Sequence, residues 1–149
     1  MSPADSNSAR PNTKAPTASE PERTQQEVFD AGMAVRREVL GAQHVDRANA
    51  NITEFTGDFQ ELITRYAWGS IWTRPGLPRT TRSAITLTAM IAQGHWEEFA
   101  MHVRAAITNG MTRDEIKEVV LQSAIYCGVP AANTAFKVAQ SVLDGLDED

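Results

Sequence analysis

H-V-R-A-A-I-T-N-G-M-T-R-D-E-I-K-E-V-V-L-Q-S-A-I-Y-C-G-V-P, residues 102–130, holds the end of one helix, a turn and the whole of the next helix. Asn109-Gly110 closes the first, because glycine accepts the left-handed conformation that ends helices. Thr112 and Glu115 form a T-x-x-E capping box, each satisfying a backbone donor at the start of the second. Gly128 stops that helix, and Pro130 suits the first turn of another. Ile116, Val119, Val120, Leu121, Ala124 and Ile125 make the helix apolar almost all round, which predicts a central, buried element.

The same periodicity recurs on both sides. It predicts helices over 23–40 (Val28, Val35, Val39, stopped by Gly41), 58–70 (Phe59, Leu62, Ile63, Tyr66), 79–93, 95–109 and 130–144. Residues 42–57 read as irregular, with Asn, Thr and Gly breaking any period, and W-T-R-P-G-L-P (72–78) reads as a loop. No strand-like alternation of useful length occurs, so an all-α fold of about six helices is expected. Residues 1–22, rich in Ser, Pro, Ala and Thr, lack the apolar side chains a core needs and are expected to be a disordered tail. Residues 23–149 then form one helical domain.

The 149-residue chain carries a net charge of −5, which argues against a nucleic-acid surface or a polybasic membrane patch. No apolar run approaches the ~20 residues that span a bilayer. A basic-then-apolar leader is absent and Cys127 is the single cysteine, so a reducing, cytoplasmic location is expected. One cysteine also leaves no partner for dithiol chemistry, which turns attention to acid/base groups.

His102 and Glu118 lie ~12 Å and ~9 Å from the turn that joins their helices, so they stand at comparable height. A histidine paired with a carboxylate at the edge of a core can hold a proton near neutral pH. Spacing leaves the alternative open, in which Glu118 faces solvent or a neighbouring subunit and His102 is a satisfied border histidine. Glu118 shares a stripe with Gln122 and Tyr126. His95, Glu98 and His102 share a face that suggests a metal, but no H-E-x-x-H or second E-x-x-H motif supports it, and no metal is expected. Arg74 and Arg82 are candidate grips for a carboxylate. Trp68 and Trp72, one turn apart, either wall a pocket or pack as plain core, and Cys127 falls in an apolar arc as a small core residue.

Taken together, F-Q-E-L-I-T-R-Y-A-W-G-S-I-W-T-R-P-G-L (59–77), R-T-T-R-S (79–83), 102–118 and Y-C-G-V-P-A-A-N-T-A-F (126–136) resemble the carboxymuconolactone decarboxylase family. The W-G-S-I-W-T-R-P-G-L segment is the more specific part, and the likeness covers about residues 28–144. The resemblance implies an alkylhydroperoxidase-like helical fold and a homo-oligomer, trimer or hexamer. It implies cofactor-free decarboxylation of 4-carboxymuconolactone to 3-oxoadipate enol-lactone, in protocatechuate breakdown by the β-ketoadipate route. On that view His102 is the acid, with Glu118 tuning it, and Tyr126 or His95 binds the oxyanion. Arg74 and Arg82 orient the substrate beside Trp72, with Gln122 and Cys127 lining the site. Two other readings stand beside it: a thiol-dependent hydroperoxidase, which the missing second cysteine of a C-x-x-C pair disfavours, and a non-catalytic helical oligomer that binds a small acid.

Overall fold

The computed structural model describes residues 22–148. The segment read as a disordered tail lies, except for its last residue, outside them. Among the described residues the chain forms α1 (Gln25–Leu40), α2 (Ala42–Ala50), α3 (Gly57–Ile63), a π-helix (Thr64–Trp72), α4 (Arg79–Gln93), α5 (Trp96–Thr108), α6 (Arg113–Tyr126) and α7 (Val129–Asp147), with no strand. The all-α reading holds.

Two apolar layers share α5. In the larger, α4 to α7 bury Leu87, Ile91, Phe99, Val103, Ile116 and Val120. In the smaller, Val35 and Val39 of α1 meet Trp68 and Trp72 of the π-helix and Ala105 of α5. The central helix is therefore α5, and the expectation that α6 is central is overturned. Only Ile116, Val120 and Ser123 of α6 are buried, whereas Ile125 and Tyr126 are 79% and 82% exposed. Apolar residues on every side did not mean burial on every side.

The stretch read as irregular contains α2. Gly41 breaks α1 at φ +88°, where glycine has no Cβ to clash, and a nine-residue helix follows at once. Its only buried residue is Val45, and the Arg37–Asp46 ion pair at 2.7 Å ties it to α1. So short a helix is held by tertiary contacts and carries no periodic signature.

The predicted 58–70 helix is α3 running into the π-helix, and its expected face is wrong. Phe59, Leu62 and Tyr66 are exposed, while Thr64, Trp68, Gly69 and Trp72 are buried. The cause lies in two glycines. A Cβ on Gly32 would collide with the Thr64 carbonyl and the Gly69 backbone, and one on Gly69 with the Val28 carbonyl. The backbones of α1 and the π-helix thus touch directly, and that contact sets which face turns inward. Side chains cover the freed backbone groups: Ser70 Oγ donates to the Arg65 carbonyl at 3.1 Å, and Thr73 Oγ1 to the Gly69 carbonyl at 2.6 Å.

Candidate active site

The smaller layer adjoins the candidate acid, His102. His102 projects from α5 into it, 9% exposed, with its ring against Trp72 at 6.3 Å between centroids and 15° between planes. Trp68 continues the stack on Trp72 at 5.2 Å. His102 Nδ1 is buried with no hydrogen-bond partner among the described residues. Burial pushes the proton affinity of this imidazole below the ordinary histidine value, and Glu98, one turn back on α5, pulls the other way.

Two residues beyond Trp72 the chain reaches Arg74. Arg82 Nη2 donates to the Arg74 carbonyl at 3.1 Å, folding the proline-rich loop back onto the start of α4. Asn109 Nδ2 donates to Ser83 Oγ at 2.9 Å, so the α5–α6 turn anchors the residue next to Arg82. Neither Arg74 nor Arg82 forms an ion pair among the described residues, and Arg82 Nε is buried without a partner. Arg74 and Arg82, neither ion-paired among the described residues, are thus tied together at the loop that follows Trp72, the ring beside which His102 lies. Guanidinium groups of this kind can grip an anion, and the buried imidazole can carry a proton.

The remaining expected residues lie elsewhere. Glu118 is exposed and lines a groove of about 380 Å³ with Thr80, Thr81 and Glu115. Gln122 and Tyr126 line the adjoining, mainly apolar cavity of about 610 Å³ between α4 and α6. No hydrogen bond or ion pair joins Glu118 to His102, and Glu118 is not among the charges acting on that ring. Equal height along the hairpin did not bring the two together, because His102 points to the tryptophans and Glu118 to α4. His95 precedes α5 as its N-cap residue, exposed, and hydrogen-bonds Gln93 Oε1 at 3.1 Å. It does not converge with Glu98 and His102. Cys127 caps α6, half-buried against the larger layer.

Two titratable residues, Arg36 and His44, escaped the reading of the sequence. Arg36 is 5% exposed, and His44 sits half-buried on α2. Burial lowers the proton affinity of His44, and Arg47, Arg36 and Arg104 lower it further. Arg36 falls beside Val35 and Val39 on the inner arc of α1, and a charge inside an apolar arc was the available signal.

Comparison with known proteins bears on this site. A model of the carboxymuconolactone decarboxylase family matches residues 57–141. The 4-carboxymuconolactone decarboxylase of Acinetobacter baylyi is 47% identical over 118 residues, 79% of this chain and 88% of that protein. The nitrosuccinic acid decarboxylase of Metarhizium robertsii is 47% identical over 119 residues, 80% of this chain and 83% of its own. A 4-carboxymuconolactone decarboxylase of Pseudomonas putida is 58% identical over 41 residues, 28% of this chain. A match of 118 residues does not fit between Gly57 and the end of the chain, so the likeness to the Acinetobacter protein reaches back over α2 and into α1.

Proposed function

The chain belongs to the carboxymuconolactone decarboxylase family, and from that premise we propose that it removes CO2 from 4-carboxymuconolactone to give 3-oxoadipate enol-lactone. The observation that carries this reading is the 47% identity to a decarboxylase of that name along 79% of the chain. The proposed setting is the protocatechuate branch of the β-ketoadipate pathway, in the cytoplasm. No described helix is long and apolar enough to cross a membrane.

The chemistry asks little of a cofactor. The bond from the γ carbon to its carboxylate breaks, and its electron pair moves through the ring double bond onto the lactone carbonyl. The dienolate then takes a proton at the α carbon, so one proton is consumed for each CO2 released. We assign that proton to His102. The arriving dianion raises the proton affinity of an imidazole that burial alone depresses. Arg74 and Arg82 orient the substrate, and Trp72 gives the departing carboxylate an apolar wall that favours neutral CO2 over the anion.

Glu118, Gln122 and Tyr126 face a groove flanked by the exposed Ile85, Leu121, Ile125 and Val129. We assign that groove to contact between copies in a homo-oligomer, where Glu118 and Tyr126 join a site completed by assembly.

The equal identity to the nitrosuccinic acid decarboxylase favours a second reading. In nitrosuccinate the nitro group accepts the electron pair, and the resulting nitronate is protonated on carbon by the same acid. Purified protein offered each acid separately, with loss followed in the ultraviolet, tests both. Faster consumption of the lactone is expected. Consumption of nitrosuccinate alone would select the second reading, and turnover of neither would leave a non-catalytic acid-binding oligomer.

A further inference from the structure

A cavity of about 300 Å³ opens where α1, α2 and α3 meet the start of the π-helix. Phe29 and Met33 of α1, with Ile52 from the segment after α2, form its apolar side. Asn49 Nδ2 donates to Met33 Sδ at 3.8 Å, which holds α2 against that wall. None of His102, Arg74 and Arg82 lines it, so it stands apart from the residues assigned to proton transfer and substrate grip. Its size lies at the lower end of ligand pockets, with room for a single-ring molecule.

The polar side is set by Arg36, which is buried behind it. Arg36 Nη2 donates to Gln60 Oε1 at 3.2 Å and Nη1 to Thr64 Oγ1 at 3.4 Å, and Gln60 and Thr64 both line the cavity. A guanidinium can only donate, so it fixes which end of the Gln60 amide turns toward it. The Nε2 end keeps two N–H donors, neither hydrogen-bonded among the described residues nor buried. Thr64 offers nothing further, its hydroxyl donating to the Gln60 carbonyl at 2.8 Å. Hydrogen bonds in series polarise one another, so the charge of Arg36 strengthens the free donors of Gln60.

The charge balance favours an anion. Glu61 is the one acid among the lining residues, and Arg65 holds it at 2.7 Å. Arg65 is otherwise committed to the Gln25 carbonyl and to the Phe29 ring, 5.5 Å from its centroid. Arg36 has no ion pair among the described residues, so its charge stands uncompensated beside the cavity. A glutamate at position 60 would accept the same bond and cancel that charge. Glutamine accepts the bond and leaves both the charge and the donors in place.

We propose that this cavity binds a small monocarboxylic acid, its carboxylate on Gln60 Nε2 in the field of Arg36 and its apolar body against Phe29, Met33 and Ile52. The site goes beyond the decarboxylase reading and does not depend on turnover.

Benzoate is the probe and benzamide its uncharged counterpart, each titrated calorimetrically into the whole protein beside thermal melts. Wild type binds benzoate, and benzamide several-fold more weakly. Gln60→Glu turns the bond to Arg36 into an ion pair but removes both N–H donors. It should melt no lower than wild type and bind benzoate roughly tenfold or more weakly, the loss expected for a hydrogen bond to a charged group. Its preference for benzoate over benzamide should vanish, a change that an amide serving only the fold would not produce. Ile52→Glu, at a position 40% exposed, sets a negative charge at the apolar wall and decides the matter if Gln60→Glu does not fold. It should weaken benzoate several-fold and leave benzamide little changed, and equal benzoate affinity there would overturn the site. So would a wild type that does not bind benzoate, or full binding by Gln60→Glu. Benzoate released by Arg82→Lys but retained by Gln60→Glu would place the acid on the other guanidinium pair and overturn the site as well.

Discussion

The indole of Trp72 and the imidazole of His102 lie nearly parallel, 15° between their planes and 6.3 Å between their centroids. One side of the imidazole thereby faces an apolar ring, and Nδ1 is buried with no hydrogen-bond partner among the described residues. Burial favours the neutral form of a histidine so placed, and an anion brought beside it would favour the protonated form. Binding of an anion there would therefore be coupled to proton uptake.

His102→Ala should lower kcat/KM for the lactone by about 10²–10⁴-fold, the range contributed by a positioned general acid. Steady-state rates at saturating and limiting substrate decide it. Turnover within a few-fold of wild type would take the proton-transfer role away from this residue.

Stability should fall on mild acidification. The folded-state proton affinities of His102 and His44 lie below the ordinary histidine value of 6.5, so the unfolded chain takes up protons first. Stability is then level above pH 6.5 and declines as pH drops below it, toward the depressed folded values. Urea midpoints between pH 5 and 8 measure this. His102→Gln should flatten the slope over that range.

Arg82→Lys should raise KM by roughly tenfold with a smaller change in kcat. Arg82 spends Nη2 on the Arg74 carbonyl, and its Nε has no partner among the described residues, so the proposed grip would use what the fork has left. A lysine ammonium has neither the planar fork nor the reach to do both. An unchanged KM would count against the role.

Gly69→Ala should destabilise the protein by at least about 1–3 kcal/mol, because the added carbon meets backbone that cannot rotate away. Gly145→Ala is the matched control. Nothing lies within 4 Å of the added Cβ there, and loss of glycine from a helix gains about 0.5–1 kcal/mol. Equal melting temperatures for the two variants would contradict the contact.

Ile125→Arg should shift the protein to smaller species in sedimentation velocity. Ile125 is 79% exposed on α6 beside Tyr126 and Val129, and a charge there is costly only if a second copy covers it. An unshifted profile would exclude this face from the assembly.

Helix number and class were largely legible because capping residues and apolar stripes are local signals. Thr112 and Glu115 make the capping box that their spacing announces. What escaped is set by contacts across the chain. The inward face of the π-helix follows from Gly32 meeting Gly69, and neither glycine stands out within its own helix. The pairing of His102 with Glu118 failed for a related reason. Rise per residue fixes height, but the choice of neighbours fixes direction, and α5 turns one face to the tryptophans and another to α4, α6 and α7. Arg36 was readable as a charge in an apolar arc, whereas its lack of a counter-ion needed the whole fold.

The glycine-to-glycine contact between α1 and the π-helix also bears on how such enzymes diverge. Two helices that meet backbone to backbone keep their separation whatever side chains surround them. Tryptophans, valines and arginines around the contact are then free to be exchanged without moving the frame that carries them. The side chains lining the layer can drift on such a frame while the imidazole of His102 stays in register, a route by which relatives named for a lactone and for a nitro acid could share one architecture.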